Sequence, residues 1–552
     1  MAVIEIDLDE LYKLVGRNLS EEELKNILLN IKCELEEIKN KKAKIEVKDF
    51  YRIDLYSTAG LARELKGLLS IESGIPRYNV YDSDYKIFVD PKLSNIRPYI
   101  VGAVVKNVKL NDNLVKDIIQ LQEKISTSFG RRRQKIAIGL HNFDLIKFPV
   151  FYKAVKPNEY KFTPLNYETE LYLDEILEKT KAGQEYGYLI KDKEYYPLLL
   201  DSKNEVISMP PVINSNNIGK ITTDSKNIFI DVSGTDLESL LITLNVIVTT
   251  LADYGGEIYS VRIIYSDKEI IAPKLEVIKR EFDYFKIKKY LGIKIEDKEI
   301  IELLKKKRIN AIIENDKMII GYLNYRNDII SEYDIIEEIL IAYGYNNIVP
   351  KVPNIYTKGK LSKRRKLINK IRDIMTNMKC IEIYTPVLSK KSINELLKED
   401  KEIVEIINPV SSNYNSVRIS LLTSFLQLLS ESKEMRFPSK IFEVGRIAYL
   451  ENNKIIEEDS VLYIYSNYKV TFSDAKSVLE RLFIELNLEF KLVDSNYKYL
   501  ISGRQGSIFI NSEVVGWIGE INPEILEILD IKYPLVGFEI SLTKLLKYYN
   551  DI

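Results

Sequence analysis

Histidine is nearly absent: among 552 residues the chain has one, His141. A His-based metal site, a Ser/His/Asp triad or a Cys/His dyad would each have to use it. Beside Gly139-Leu140 it reads as a turn or core residue. Any hydrolysis must then rely on oriented water, backbone dipoles, hydroxyls and carboxylates. Cysteine is scarce as well. Cys33 and Cys380 alone argue against a disulfide framework or a zinc site and for a reducing, cytoplasmic compartment. Neither sign of charge prevails, for 80 Lys and Arg face 81 Asp and Glu, so no global field advertises nucleic acid. No apolar run approaches a membrane span, and Met1-Ala-Val-Ile-Glu-Ile-Asp7 is not the start of a signal peptide.

What is present is a core-forming composition, 45% hydrophobic and 29% charged, in a chain long enough for three or four domains. Its most informative stretch runs from Arg326 to Tyr345. Ser331 and Asp334 read as a capping box. Ile335, Ile336, Ile339 and Leu340 supply an apolar face, and Gly344 a helix stop. Asp334, Glu337 and Glu338 fall at i, i+3 and i+4, so they share one side of the helix, while Glu332 points elsewhere. Asp328 lies just past the strand expected over Lys317–Tyr325 and can join the three. Hard oxygen ligands at this density suit Mg²⁺, which keeps several waters and takes few carboxylates directly. The alternative is a solvated acidic first turn that complements the helix dipole.

An internal echo bears on that choice. Leu14–Leu65 aligns with Tyr290–Ile339: Gly16 matches Gly292, Leu19 matches Ile295, and Ile27-Leu28 match Leu303-Leu304. After a two-residue slip, Arg52-Ile-Asp54-Leu matches Arg326-Asn-Asp328-Ile. Each copy reads helix, short β ribbon, Arg-x-Asp, helix. The first has Gly60 and Arg63 where the second has Asp334 and Glu337, so the shared scaffold does not demand the acidic cluster.

Along the chain, residues 1 to about 95 form the first copy, ending in a connector with Gly74, Pro76, Pro91 and Pro98. Residues 96–270 read as a mixed α/β module, with strand-like Tyr99–Val108, a helix over Asn113–Ser126, then Lys135–Leu140, Tyr186–Ile190 and Tyr196–Asp201. A strand Ile228–Val232 leads to a helix reaching Leu251. Residues 271–350 hold the second copy, and Pro350–Lys366 is a basic linker into an α+β domain over 351–552. Three basic clusters, Arg131-Arg132-Arg133, Lys305-Lys306-Lys307-Arg308 and Lys358 to Lys366, either touch phosphate or are solvated faces.

Six motifs in order carry a family resemblance. They are Arg52-Ile-Asp-Leu-Tyr-Ser-Thr-Ala-Gly-Leu-Ala-Arg-Glu-Leu65; Ile119-Gln-Leu-Gln-Glu-Lys124 with Gly130-Arg131 and Ala137-Ile-Gly-Leu-His141; and Pro197-Leu-Leu-Leu-Asp201 with Ser208-Met-Pro-Pro-Val-Ile-Asn214. Then come Asp231-Val-Ser-Gly-Thr-Asp236 leading to Ala252-Asp-Tyr-Gly-Gly256, the acidic helix, and a C-terminal group. That group comprises Asn408-Pro-Val-Ser411 with Arg418-Ile-Ser-Leu-Leu422, Ile441-Phe-Glu-Val-Gly-Arg446, and Gly516-Trp-Ile-Gly-Glu-Ile-Asn-Pro523. Essentially end to end, the chain resembles the β subunits of the phenylalanine–tRNA ligase family, in their short archaeal/eukaryotic-type form.

The resemblance implies an α+β multidomain fold of repeated helix–ribbon–helix modules, a mixed α/β editing domain and a degenerate class II synthetase-like antiparallel-sheet domain. It implies an α₂β₂ heterotetramer whose α subunit carries phenylalanine activation, with phenylalanine tRNA as a partner and no membrane. It assigns Asp328, Asp334, Glu337 and Glu338 to Mg²⁺ at a site shared with α. Class II activation needs arginines around the ATP phosphates, and Arg446, Arg481 and Arg504 do not stand in fitting contexts. In the middle domain it places an editing pocket on Leu199, Ser208, Asp231 and Ser233, the last standing where threonine is expected. Turn and cap chemistry is the local alternative for Ser208 and Asp231. Editing has a physical reason: a hydrophobic pocket rejects an isostere that only adds a hydroxyl by only about 10²-fold, so tyrosine slips through. Relative to longer bacterial relatives, no oligonucleotide-binding insert interrupts the first 95 residues and no anticodon-binding domain follows Ile552. Two other readings remain, a non-enzymatic nucleic-acid-binding scaffold and a free-standing hydrolase built on the middle domain.

Overall fold

Asp7 opens the first helix by accepting a hydrogen bond from the Glu10 amide; Leu8–Val15 then runs to Gly16, whose φ of 82° ends it. Asp283 starts Tyr284–Leu291 in the same way, and Gly292 at φ 67° stops it. Helices Glu21–Asn30 and Asp297–Lys306 follow. Each copy then forms a two-residue hairpin, Asn40-Lys41 or Asn315-Asp316, with both turn residues at positive φ. In this computed structural model, which describes residues 2–397, 401–432 and 437–549, the echo is therefore a repeated three-dimensional unit. It also starts earlier than the matching residues do. Strands Ala2–Asp7 and Val277–Asp283 each pair with the last strand of their own hairpin, giving two three-stranded sheets of the same order. The last strand of the second copy is Lys317–Leu323, two residues shorter than expected.

The chain divides into two compact units, Met1–Val352 and Pro353–Ile552. In the first, an eleven-stranded sheet lies between the repeat copies in sequence. Ile228–Gly234, next to the edge strand Ile136–Asn142, is buried throughout and pairs antiparallel with that strand and with Tyr99–Lys106. Helices Asp112–Thr127 and Leu237–Asp253 complete the core. The connector before residue 96 contributes Val80–Tyr81 and Lys86–Val89 to this sheet. Segments of two and four residues are too short to show a period of two. Tyr186–Ile190 is not a strand. Thr180 caps Lys181–Tyr186 through the Gly183 amide, and a 3₁₀ turn Gly187–Leu189 follows. Gly183 lets that helix press onto Leu173–Lys179, where an added Cβ would meet the Ile176 carbonyl oxygen at 2.0 Å. Tertiary packing overrides the β preference of Tyr and Ile here.

The second unit is built on a seven-stranded sheet, antiparallel except where Ile381–Glu382 runs alongside Ser439–Glu451. Alternation along Lys454–Ser466 sends Tyr463 to one face with helices Lys363–Asn377 and Phe472–Glu485, and Leu462 and Ile464 to the other with Leu421–Glu431. No described helix is long and apolar enough to cross a membrane.

Candidate functional site

Strand alternation puts Asp231 and Ser233 on one face of Ile228–Gly234. Both open into a cavity of about 550 Å³ that Ser208 also lines. Three of the four residues singled out by resemblance therefore converge. Leu199 does not line this cavity: it sits in register between Ser208 and Tyr152 and is fully buried in the core.

Asp231 is flanked on both neighbouring strands by glycines, Gly139 and Gly102. Gly139 is required by what lies beside it, since an added Cβ would come within 2.2 Å of Asp231 Oδ1 and 2.5 Å of His141 Nε2. The lone histidine is indeed a core residue, but it is not inert. Its Nε2 is 2.6 Å from Asp231 Oδ1, and both side chains are buried. The sequence reading sets His141 aside; the signal it offers is the small-residue alternation Ala137, Gly139, His141 on one strand face. Gly139→Ala should cost about 1–3 kcal/mol of stability, the scale of overpacking, read as a lower urea midpoint.

Ser233 is held by Arg97, which the sequence also leaves unmarked. Arg97 donates from Nε to Ser233 Oγ at 2.9 Å and from Nη2 to its carbonyl at 2.6 Å. Burial pushes this guanidinium down to about 10. Because the Ser233 oxygen accepts from Arg97, its proton is left to donate elsewhere. Among the described residues Ser208 Oγ is buried with no hydrogen-bond partner, and no hydrogen bond engages Asp231 Oδ2. The floor thus offers two hydroxyls and one carboxylate oxygen to whatever enters.

The acidic helix forms as expected: the Asp334 and Ser331 side chains make a capping box, and Glu332 turns away to Lys286 at 3.2 Å. Asp328, Asp334, Glu337 and Glu338 all line a cleft of about 370 Å³. They are not simply solvated, since most are compensated by cations. Arg326 grips Asp328 in a two-pronged pair at 2.7 and 2.6 Å, as Arg52 grips Asp54 at 3.0 Å twice in the first copy. Burial opposes ionisation of Asp328, but Arg326 outweighs it and holds the carboxyl below the usual range. Glu338 lies 3.1 Å from Arg326 and 3.4 Å from Lys307, and Glu337 2.7 Å from Lys32 of the first copy. Asp334 spends Oδ2 on the cap. Lys307 and Arg308 are therefore neither a phosphate face nor a solvated one. Lys307 is fully buried between Glu64 and Glu338, and Arg308 reaches Glu72 at 3.1 Å.

Among the described residues no three His, Cys, Asp or Glu converge as a metal cage. Oxygens remain, however: among the described residues Glu338 Oε2 is buried without a hydrogen-bond donor, its Lys307 neighbour standing off at 3.4 Å, and neither Asp334 Oδ1 nor Glu337 Oε1 receives one. This donor set fits a Mg²⁺ held largely through its own waters, not one enclosed by protein.

Comparison with known proteins gives a consistent picture. The family described as Phenylalanyl tRNA synthetase beta chain CLM domain matches residues 348–542, and the tRNA synthetase B5 domain matches 280–345. The Phenylalanine–tRNA ligase beta subunit of Pyrococcus abyssi is 40% identical over 554 residues, covering 99% of this chain and 100% of the relative. That of Archaeoglobus fulgidus is 33% identical, covering 98% of each. A crystal structure of an N-terminal fragment of the Phenylalanyl-tRNA Synthetase Beta-Subunit from Pyrococcus horikoshii is 46% identical. It superposes with a TM-score of 0.61 over 62% of this chain and all of the fragment.

Proposed function

The chain belongs to the phenylalanine–tRNA ligase β-subunit family, and from that premise we propose how its parts divide the work. It is a ligase subunit of protein biosynthesis, working with an α subunit and tRNA in ATP-dependent phenylalanylation. The Ile228–Gly234 pocket hydrolyses tyrosyl-tRNA formed in error. One observation carries this reading: Ser208, Asp231 and Ser233 meet in one cavity, with Asp231 fixed by His141.

Ser208 Oγ gives a phenol hydroxyl the partner it lacks. Phenylalanine in the same place leaves that buried group unpaired, which is the arrangement that rejects an analogue strongly. Asp231 Oδ2 accepts a hydrogen bond from the attacking water, and the Ser233 hydroxyl donates to the oxyanion that forms on the ester carbonyl. His141 keeps the carboxylate in place. Release of tyrosine and tRNA from preformed tyrosyl-tRNA by the α/β complex is the test, and a complex that leaves that ester intact refutes the assignment.

The 351–552 domain is a class II-like partner that pairs with α in a heterotetramer and does not catalyse. Arg446 lies 3.2 Å from Glu457 and Arg504 2.8 Å from Glu520, while Arg481 pairs with Glu485, so each arginine already has a carboxylate. The chain alone should show no phenylalanine-dependent ATP–pyrophosphate exchange, and activity should appear when α is added.

Asp334, Glu337 and Glu338 hold a hydrated Mg²⁺ in the acidic cleft at the surface shared with α. The ion supplies positive charge that ties this face to its partner. Glu337→Ala should lower Mg²⁺ content and weaken assembly, whereas Glu332→Ala, whose carboxylate points to Lys286, should change neither. Unaltered metal content in the Glu337 variant returns the helix to a purely structural role. The first-copy positions Gly60 and Arg63 are unsuitable controls: a Cβ on Gly60 would lie 1.6 Å from the Asp54 carbonyl oxygen, and Arg63 is bound to Asp253. A nucleic-acid scaffold without catalysis is the weaker reading, because Lys307 and Arg308 of the second basic cluster are spent on ion pairs within the chain.

A further inference from the structure

Helix Asp112–Thr127 leaves into strand Ile136–Asn142 through a turn that contains three consecutive arginines. Arg131, Arg132 and Arg133 have φ of 51°, 51° and 64°. This left-handed region is disfavoured for side-chain-bearing L residues and is visited mostly by glycine, or by asparagine and aspartate. The backbone is nonetheless firmly held. The amides of Arg131, Arg132 and Arg133 donate back to the carbonyls of Ser128, Thr127 and Ser126 at 3.0, 3.1 and 2.9 Å. Arg97, whose Nε holds Ser233 Oγ on the pocket floor, donates from Nη1 to the Arg133 carbonyl at 3.1 Å. One guanidinium therefore ties the turn to the pocket.

The three side chains diverge in role. Arg133 becomes part of the pocket wall, donating to the Pro211 and Val212 carbonyls at 3.1 and 2.8 Å and lying 4.0 Å from the Tyr186 ring centre. Arg131 and Arg132 stand exposed, and among the described residues neither has a carboxylate partner. Arg262 and the exposed Arg446 and Arg504 are matched to acidic groups, whereas exposed Arg77 and Arg280 share the lack of a carboxylate partner among the described residues but stand alone and not in a pair beside a pocket. Backbone strain held next to a functional pocket, with its two cations left free, is the pattern of a binding element.

The geometry points to Arg131 and Arg132 as a clamp on the phosphodiester backbone of the single-stranded 3′ end whose terminal ester enters the pocket. This rests on the hydrolytic reading of that pocket. A guanidinium fork matches phosphate oxygens in two-pronged fashion. A chain with net charge −1 has no overall field to gather a polyanion, so the attraction must be local.

The test compares two substrates with the intact α/β complex: tyrosyl-tRNA, and tyrosyl-adenosine, which carries the ester without any phosphodiester. The paired variant Arg131→Ala, Arg132→Ala should raise KM for tyrosyl-tRNA roughly tenfold or more, the scale of losing charge-assisted hydrogen bonds, with kcat nearly kept. The log–log dependence of kcat/KM on salt should flatten by about 1.4, since each phosphate contact on a single strand contributes about 0.7. The ratio of tyrosyl-tRNA to tyrosyl-adenosine hydrolysis should fall by the same factor as kcat/KM. Lysines at both positions should restore most of the salt slope. Equal losses on both substrates would make the turn a mere support for the pocket and overturn the clamp, as would an unchanged KM and salt slope. If the unaltered complex hydrolyses neither substrate, the pocket assignment itself fails and the clamp falls with it.

Discussion

Asp231→Asn should slow tyrosyl-tRNA hydrolysis by about 10² or more, the scale for losing a transition-state hydrogen-bonding group, while phenylalanine charging by the α/β complex stays near normal. The asparagine keeps the shape and keeps one oxygen for His141 Nε2, now 2.6 Å from Asp231 Oδ1, but removes the charge that draws a proton from water. Its melting temperature should therefore move little. Asp231→Ala would instead strand a fully buried imidazole and cost about 1–3 kcal/mol as well, so the asparagine variant separates chemistry from folding. Ser208→Ala makes the contrast sharper. Ser208 Oγ is buried without a partner, so its loss should be neutral or slightly stabilising, yet discrimination for the tyrosyl ester should collapse. Deacylation of preformed tyrosyl-tRNA beside thermal melting decides the matter. Full deacylation with a lowered melting temperature would mean that these residues only shape a turn and a strand.

The features that the sequence displays by itself are those encoded over a few neighbouring residues. The capping box of Ser331 and Asp334, three residues apart, is exposed by local chemistry, whereas Asp231 and Ser233, two apart on one strand, stand out only through the family resemblance. What it hides depends on register between strands. His141 meets Asp231 from 90 residues away, because two antiparallel strands align Asp231 with Gly139 and Phe229 with His141. Arg97 reaches Ser233 across 136 residues. Neither residue type nor spacing announces such a pair. The acidic cluster is the same lesson with the opposite consequence. Its density on the Glu332–Tyr343 helix suggests exposed ligands, but Lys32 arrives from the first repeat copy, and Lys307 from the helix end before the hairpin. The echo itself was legible from glycines, leucines and the Arg-x-Asp pair. Its opening strands were not, because Ala2–Asp7 and Val277–Asp283 share a shape without sharing a pattern of residues.

The second large effect is expected where the two copies meet. Lys307→Met should destabilise the 1–352 unit by about 3–5 kcal/mol, the cost of removing one partner from a buried charge cluster. Lys307 is wholly buried and contacts both Glu64 and Glu338, which Arg52 and Arg326 bind from their own copies, Arg52 to Glu64 at 2.9 Å and Arg326 to Glu338 at 3.1 Å. Without the lysine, two adjacent buried carboxylates lose their shared cation. Acid should reveal the same coupling. Burial alone would raise the Glu64 carboxyl, but Arg52 and Lys307 outweigh it and hold it far below the usual range. A depressed carboxylate contributes stability that is fully present above its unfolded value of about 4.3 and is lost as pH falls below it. In the Lys307→Met chain that depression is weakened and Glu64 protonates more readily. The stability gap between parent and variant should therefore be full from neutral pH down to about pH 4 and shrink only as acid is added below that. Adding Glu64→Gln should recover part of the loss, because it removes the charge the methionine cannot balance, and a double-mutant cycle measures that coupling. Urea unfolding at pH 7 and at about pH 3 is the measurement. A gap below about 1 kcal/mol that does not change with pH would place the cluster among solvent-screened surface pairs.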